Sequence, residues 1–328
     1  MNLAPVIIFN YNRPDHSLRT WDALAQNQFA SETELYLYCD GPKANASDEM
    51  CLCIASLHAQ AKQYAIDAPK AGKFKAVHVV CAEKNKGLAN SIIGGVTDII
   101  NKHGRAIVLE DDLLTSPYFL KYMNEALDKY ESYTSVFSIS ANRPPVSKMA
   151  IPADYEYDVF VSLRPFSTGW ATWKNKWERI DWSLDYLNDF LKHPEQIKAF
   201  NRGGDDLTNM LLLQRDHKID SWAIRFSFQL FYHHAVAILP CSPYVDNIGF
   251  DGTGIHSGND EHDYRNNVSL APANLRMPDV IYEDARIINA FANCYSRAKR
   301  PLWQKVINSI YRKLGKQVPF VIKKKIYC

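Results

Sequence analysis

Three acidic residues stand in a row at Glu110-Asp111-Asp112, directly after the apolar run Ala106-Ile107-Val108-Leu109. Carboxylates crowded at the mouth of a buried strand repel one another, and a divalent cation with hard oxygen ligands relieves that repulsion. Acidic residues in such a place also serve as helix caps or solvated turns, so their surroundings decide. Three more polar segments follow apolar runs: Asn10-Tyr11-Asn12-Arg13-Pro14, Asp40-Gly41 and Glu83-Lys84-Asn85-Lys86-Gly87. Taken singly, Arg13 reads as a surface arginine, Asp40-Gly41 as a turn and Asn85-Lys86-Gly87 as a helix start. Asp205-Asp206 offers a general base or a helix N-cap. Trp170, Trp173 and Trp177 fall at i, i+3 and i+7, the spacing of a packed helical face. His256 closes a glycine-rich loop over 247–258 and reads either as a ligand or as a solvated histidine. His233-His234, in an apolar context, reads as structural.

The elements that must position these residues alternate along the first half. Strands are expected at 6–9, 34–39, 75–80 and 106–109, with helices over about 14–27, 48–66 and 88–102. This βαβαβαβ order predicts a mostly parallel, doubly wound α/β sheet. In such sheets ligands bind beyond the carboxyl ends of the strands, so all four polar segments face one crevice. The glycines of a GxGxxG or GxxxxGK[ST] motif are missing, which excludes the usual dinucleotide and P-loop sites. Farther on, helices are expected at 117–130, 170–180 and 205–214, and a strand at 235–239. No linker separates this half from the first, so the two are expected to pack together.

Of the 328 residues, 47% are hydrophobic and 23% charged, ordinary for a globular protein. No apolar run reaches the roughly twenty residues of a membrane span, and the N-terminus lacks the basic region of a signal peptide. Seven cysteines without a CxxC pair suggest free thiols in a reducing compartment. Charge is uneven. From Arg297 to Cys328 there are ten Lys or Arg and no acid, so the whole-chain +2 leaves −8 for residues 1–296.

The segment Ile107-Val108-Leu109-Glu110-Asp111-Asp112-Leu113 resembles the EDD form of the DxD signature in GT-A glycosyltransferases, particularly N-acetylglucosaminyltransferase I and its bacterial, family 2-like relatives. The resemblance implies Asp112 as the direct ligand of Mn2+ or Mg2+, with Glu110 and Asp111 supporting on the donor side. Tyr11-Asn12-Arg13-Pro14 and Tyr38-Cys39-Asp40-Gly41 match the places from which that family contacts the nucleotide. Asn10, Arg13 and Asp40 are therefore implied donor contacts. Asn85-Lys86-Gly87-Leu88-Ala89 is similar to an N-x-G loop of family 2 transferases and adds Asn85 and Gly87. Pro165-Phe166-Ser167-Thr168-Gly169-Trp170 resembles the segment lining the acceptor side, with Gly169 in contact and Trp170 as a sugar-stacking ring. Gly203-Gly204-Asp205-Asp206-Leu207 resembles the segment carrying the catalytic base, although the tryptophans flanking it there are Gly204 and Leu207 here. Asp206 is the implied base, with Asp205 beside it, and His256 is an implied second ligand to metal or diphosphate.

The resemblance covers about residues 4–256 and implies a GT-A fold. Residues 1–140 would form a nucleotide-sugar half, 141–270 an acceptor half and 271–328 an extension. It implies an inverting transfer from a nucleotide-sugar donor to a glycan or lipid-linked acceptor, in bacterial surface-polysaccharide synthesis at the cytoplasmic side of the membrane. Apolar residues at helical spacing among the cations of 302–314 suggest either contact with an anionic membrane surface or a terminal helix that is solvated or docked on the domain, in preference to nucleic acid. The competing readings are a sugar-nucleotide pyrophosphorylase and a carbohydrate-binding or membrane-associated protein that keeps the fold without catalysis.

Overall fold

Near-continuous apolar runs suit strands buried on both faces, and the first and fourth strands behave this way, whereas the third, at the sheet's edge, is only partly buried. In the computed structural model, which describes residues 2–250, 266, 268, 271–296, 307–309 and 311, β1 (Val6–Asn10) is buried at every position. It lies between β2 (Glu34–Cys39) and β4 (Arg105–Glu110), with β3 (Ala76–Cys81) outside β2, all parallel. The crossovers are α1 (Pro14–Ala25), α2 (Asp48–Lys70) and α3 (Leu88–His103). Pro14 opens α1, where its missing N–H costs nothing, and Ser47 caps α2 by accepting from the Met50 amide at 3.2 Å.

The second half extends the same sheet. The eight-stranded order is β3-β2-β1-β4-β8-β6-β9-β7, where β6 is Val136–Ser140, β7 Val159–Ser162, β8 Trp170–Trp173 and β9 Val236–Pro240. The β8 strand runs antiparallel to both β4 and β6, and β7 is antiparallel to β9, so the parallel sheet expected from the first half becomes mixed here. One face is covered by α1, α2 and α4 (Phe119–Tyr130), the other by α3 and α9 (Trp222–Tyr232).

The helix expected over 170–180 is not formed. Trp170 pairs with Val108 and Ser140, and only Lys174–Trp177 makes a helical turn, α5. Strand alternation sends Trp173 to one face and Trp170 to the other, where Trp170 stacks on Trp222 and Trp177 at ring separations of 4.6 and 5.8 Å. The spacing that suggested a helix thus spans the two faces of a strand, with Trp177 added by the turn that follows, and aromatic and β-branched side chains favour the strand.

Residues 271–296 dock on the domain. The Asp158 amide donates to the Arg276 carbonyl at 2.9 Å, and α10 (Ala285–Cys294) buries Ile287, Ile288 and Phe291. His256 and nearly all of 297–328 lie outside the described residues. Among the described residues no helix is long and apolar enough to cross a membrane.

Because Trp170 is 1% exposed between two other tryptophans, Trp170→Ala is expected to lower stability by about 3–5 kcal/mol. Urea unfolding followed by circular dichroism measures this; a loss under about 1 kcal/mol would contradict a core role.

Candidate functional site

The chain leaves β1 toward β2 and β3 on one side and returns at β4 on the other. Such a reversal opens a crevice at the carboxyl ends of the two strands where it occurs. The residues meeting there are Tyr11 and Arg13, just past β1, and Glu110, Asp111 and Asp112, at the end of β4. Arg13 forms an ion pair with Asp111, and its Nη2 lies 2.9 Å from Asp112 Oδ2. The Tyr11 amide donates to Asp111 at 3.4 Å, and Thr20 Oγ1 donates to the Asp111 carbonyl at 2.9 Å. Arg13 Nη1 is buried and has no hydrogen-bond partner among the described residues.

Two carboxylates, Asp111 and Asp112, therefore hold one guanidinium, with Glu110 buried beside them. Burial pushes the Glu110 carboxyl up to about 8, with Asp112 and Asp111 adding repulsion. Asp111 is also raised by burial, against the pull of Arg13. Burial opposes the charge on Arg13, but Asp111 and Asp112 outweigh it and hold the guanidinium above its ordinary range. Negative charge remains uncompensated at the crevice.

A second segment closes over the acids. Strand β10 (Val245–Asn247) pairs antiparallel with β5 (Leu113–Thr115), and the Ile248 amide donates to the Asp112 carbonyl at 2.9 Å. This register lays Gly249 on the Asp112 carboxylate: a Cβ at position 249 would stand 2.2 Å from Asp112 Oδ2 and 3.0 Å from Arg13 Nη1. Only glycine allows that approach. The glycine-rich loop singled out in the sequence thus begins at the triplet.

Asp40 and Asn85, both expected to meet the donor, meet each other. The Asp40 carboxylate accepts from the Gly41 and Lys86 amides, each at 2.9 Å, from Asn85 Nδ2 at 3.0 Å and from Ser91 Oγ at 3.3 Å. This clamp fixes the turn ahead of α3 and sets Gly87, the N-cap of that helix, beside Asp220. Asn10 is 3% exposed; its amide donates to the Ile8 carbonyl at 2.8 Å and accepts from Trp21 Nε1 at 3.1 Å. Its side chain braces α1 against β1 and does not face the crevice opening, because an asparagine closing a fully buried strand must satisfy its amide inside.

On the acceptor side, Gly169 is buried with φ +75°, packed against Ala141, Val245 and Leu109. Trp170 has both ring faces in the core, so the stacking role expected for it finds no free face. Asp205 is exposed, whereas Asp206 is 2% exposed with both oxygens on Arg164 Nη1, at 3.0 and 3.1 Å. Asp206 stands at the N-cap of α8 (Leu207–Arg215) but its side chain makes no capping bond; Asn201 Oδ1 accepts from the Thr208 amide instead, at 3.2 Å. The Arg164 guanidinium stacks on Tyr295 at 4.3 Å. Arg164 carried no sequence signal, being forty-two residues from its partner. Neither did Asp246, 5% exposed on β10, which accepts from the Asn266 amide at 2.8 Å. Asn266 continues through Asn142 to Thr168 at 3.0 and 2.9 Å, a polar seam along the sheet edge beyond β6 and β8.

Among the described residues no three acidic, histidine or cysteine groups converge as a closed metal cage. Hard divalent cations in phosphate-binding sites usually take one or two carboxylates and complete their shell with water and substrate oxygens. Oxygen-only donors with negative charge in excess of Arg13 fit a cation of that kind.

No family model matches the chain, and no curated protein does. Among solved structures the chain is similar to mannosyltransferase PcManGT from Pyrobaculum calidifontis in complex with GDP-Man and Mn2+, with 13% identity, TM-score 0.36, 54% of this chain covered and 46% of that one. It is also similar to S. aureus TarS: residues 1-349 of that protein match at 13% identity, TM-score 0.39, 74% of this chain and 59% of the other. A longer TarS structure matches at 13% identity, TM-score 0.40, 74% and 36%. In each case less than two thirds of the other protein is spanned. At this level of similarity none of their chemistry transfers to the crevice.

If Arg13 is the internal counter-ion of the triplet, Arg13→Met is expected to lower stability by about 3–5 kcal/mol in metal-free buffer, because it strips buried carboxylates of their partner. Added Mn2+ should raise the melting temperature of the variant more than that of the parent chain. Equal Mn2+ shifts in calorimetric scans of the two proteins would contradict the counter-ion role.

Proposed function

We propose that this chain is a metal-dependent glycosyltransferase of the GT-A type, taking a nucleotide sugar as donor and a hydroxyl of a glycan or lipid-linked sugar as acceptor. The observation that supports it most is the meeting of the Glu110-Asp111-Asp112 triplet with Arg13 at the sheet's switch point. A nucleoside diphosphate carries its charge at the same kind of crevice.

In this reading Asp112 would hold Mn2+ or Mg2+, seconded by Asp111, Glu110 and His256, and when bound the metal would supply charge neutralisation for a diphosphate leaving group. Arg13, with one nitrogen unengaged, offers a second cationic group to the same oxygens and shares its carboxylates when the donor arrives. The Asp40 clamp holds the Asn85–Gly87 turn and the N-terminus of α3 at the donor side, where helix-end N–H groups favour anions. Gly249 leaves the Asp112 carboxylate the space a side chain would take. Asp206, oriented by Arg164, takes the proton from the acceptor hydroxyl as its oxygen attacks the anomeric carbon opposite the leaving group. Configuration inverts in that single displacement. The cations of Arg297 to Cys328 would hold the enzyme at an anionic leaflet, at about 1 kcal/mol for each residue near the surface. This suits lipid-linked acceptors of surface-polysaccharide synthesis.

A screen of nucleotide sugars with Mn2+, reading release of nucleoside diphosphate, tests the assignment; no release from any donor with any acceptor sugar would overturn it. Once a donor is found, Gly249→Ala is expected to weaken its Mn2+-dependent binding by about tenfold or more, since the new methyl displaces the Asp112 carboxylate. Isothermal titration measures that ratio, about 1.4 kcal/mol per tenfold. Asp206→Asn, assayed well below its melting point, should keep donor affinity and lose roughly 10²- to 10⁴-fold in transfer. Wild-type turnover in that variant would place the base elsewhere.

A further inference from the structure

Two cysteines close adjacent strands of the sheet. Cys39 is the last residue of β2, Cys81 the last of β3, and the parallel ladder sets them in register as direct partners. Neighbouring strands lie about 4.8 Å apart, inside the Cα separation that a disulfide accepts. Both side chains pack on the same side of the sheet, Cys39 within the core and Cys81 against it. Their surroundings differ. Cys39 is fully buried, whereas Cys81 is partly exposed at the sheet's edge. Over them lies α2, whose His58 reaches the Asp40 carbonyl at 3.1 Å.

We propose that Cys81 is a peroxide-reactive thiol, resolved by Cys39 into a reversible disulfide across β2 and β3. The neighbouring Cys39 thiol holds the Cys81 thiol below its ordinary range against the effect of burial, and His58 and Lys62 add positive potential. Cys241 shows the opposite behaviour, with burial pushing it up to about 12. The Cys81 thiolate attacks a hydroperoxide oxygen, forming Cys81–SOH and releasing hydroxide from hydrogen peroxide. The Cys39 sulfur then attacks the sulfenic sulfur; its proton and the departing hydroxyl leave as water, and the S–S bond forms. Two thiols are oxidised by two electrons and one peroxide is reduced to two waters. A low-molecular-weight dithiol reverses the bond.

The Cβ atoms of in-register strand partners start farther apart than the roughly 3.8 Å typical of a disulfide, so oxidation must draw the strand ends together. Those ends carry the clamp: Asp40 follows Cys39, and the Ala82 amide donates to the Cys39 carbonyl at 2.9 Å. The bond therefore loosens the Asp40–Lys86 contact and the turn ahead of α3. None of this depends on what the crevice binds.

The experiment treats the full chain with a small excess of hydrogen peroxide, then alkylates and maps its peptides. Cys81 is expected to lose alkylation first, and a peptide linked through Cys39 and Cys81 to accumulate while Cys51 and Cys53 stay reduced; dithiothreitol should restore both thiols. In Cys39→Ser, Cys81 should be trapped as a dimedone adduct with no linked peptide. Should that variant fold poorly, the parent chain still decides the matter. Oxidation of Cys81 no faster than Cys51 or Cys53, or its passage to sulfinic acid without a linked peptide, overturns the proposal. Hydrogen exchange reads the coupling: the Lys86 amide should exchange about tenfold faster in the oxidised chain. Unchanged exchange would refute the link to the clamp.

Discussion

Repulsion among the carboxylates of Glu110, Asp111 and Asp112, held at the end of a fully buried strand, is the constraint around which this molecule is arranged. Left alone, such a cluster would protonate or push its strand end apart. Arg13 answers it from the turn just past the neighbouring strand, and the geometry is possible only because β1 and β4 are adjacent and parallel. The placement of α1 on one face and α3 on the other leaves the crevice open at that point, so charge compensation and substrate access follow from one topological choice.

The rest of the carboxyl edge repeats the principle with fewer charges. Asp40 is surrounded by four donors, Gly41 beside it and Asn85, Lys86 and Ser91 from the turn and helix after β3, which tie the ends of β2 and β3 together. Asp206 is matched by Arg164, itself stacked on Tyr295. A buried carboxylate with a single well-placed cation is costly to disturb, which fixes Asp206, while Asp40 is fixed by its four neutral donors. Positioning at this edge is electrostatic, while the floor beneath it, with Trp170 between Trp177 and Trp222, is apolar and closely packed.

Strand and helix order through residue 110 was legible because apolar runs and turn residues there are local signals, and β2 is found at its expected bounds. Pro14 and Ser47 marked their helices for the same reason. The region beyond Ser140 was less legible. Strand β8 carries tryptophans at a spacing that fits a helix, and what makes it a strand is pairing with Val108 and Ser140, residues distant in the chain.

Sequence alone determined that four polar segments would gather at one edge of an α/β sheet and that the acidic triplet would stand among them. Both depend on alternation within short windows and on the handedness of the crossover. Tertiary structure decided what each side chain does there. It turned Arg13 onto Asp111 and Asp112, engaged Asp40 and Asn85 with one another, sealed Asn10 and Trp170 into the interior, and laid Gly249 on Asp112. These outcomes depend on which buried polar groups find a partner, and the partners come from elements as much as a hundred residues away or more.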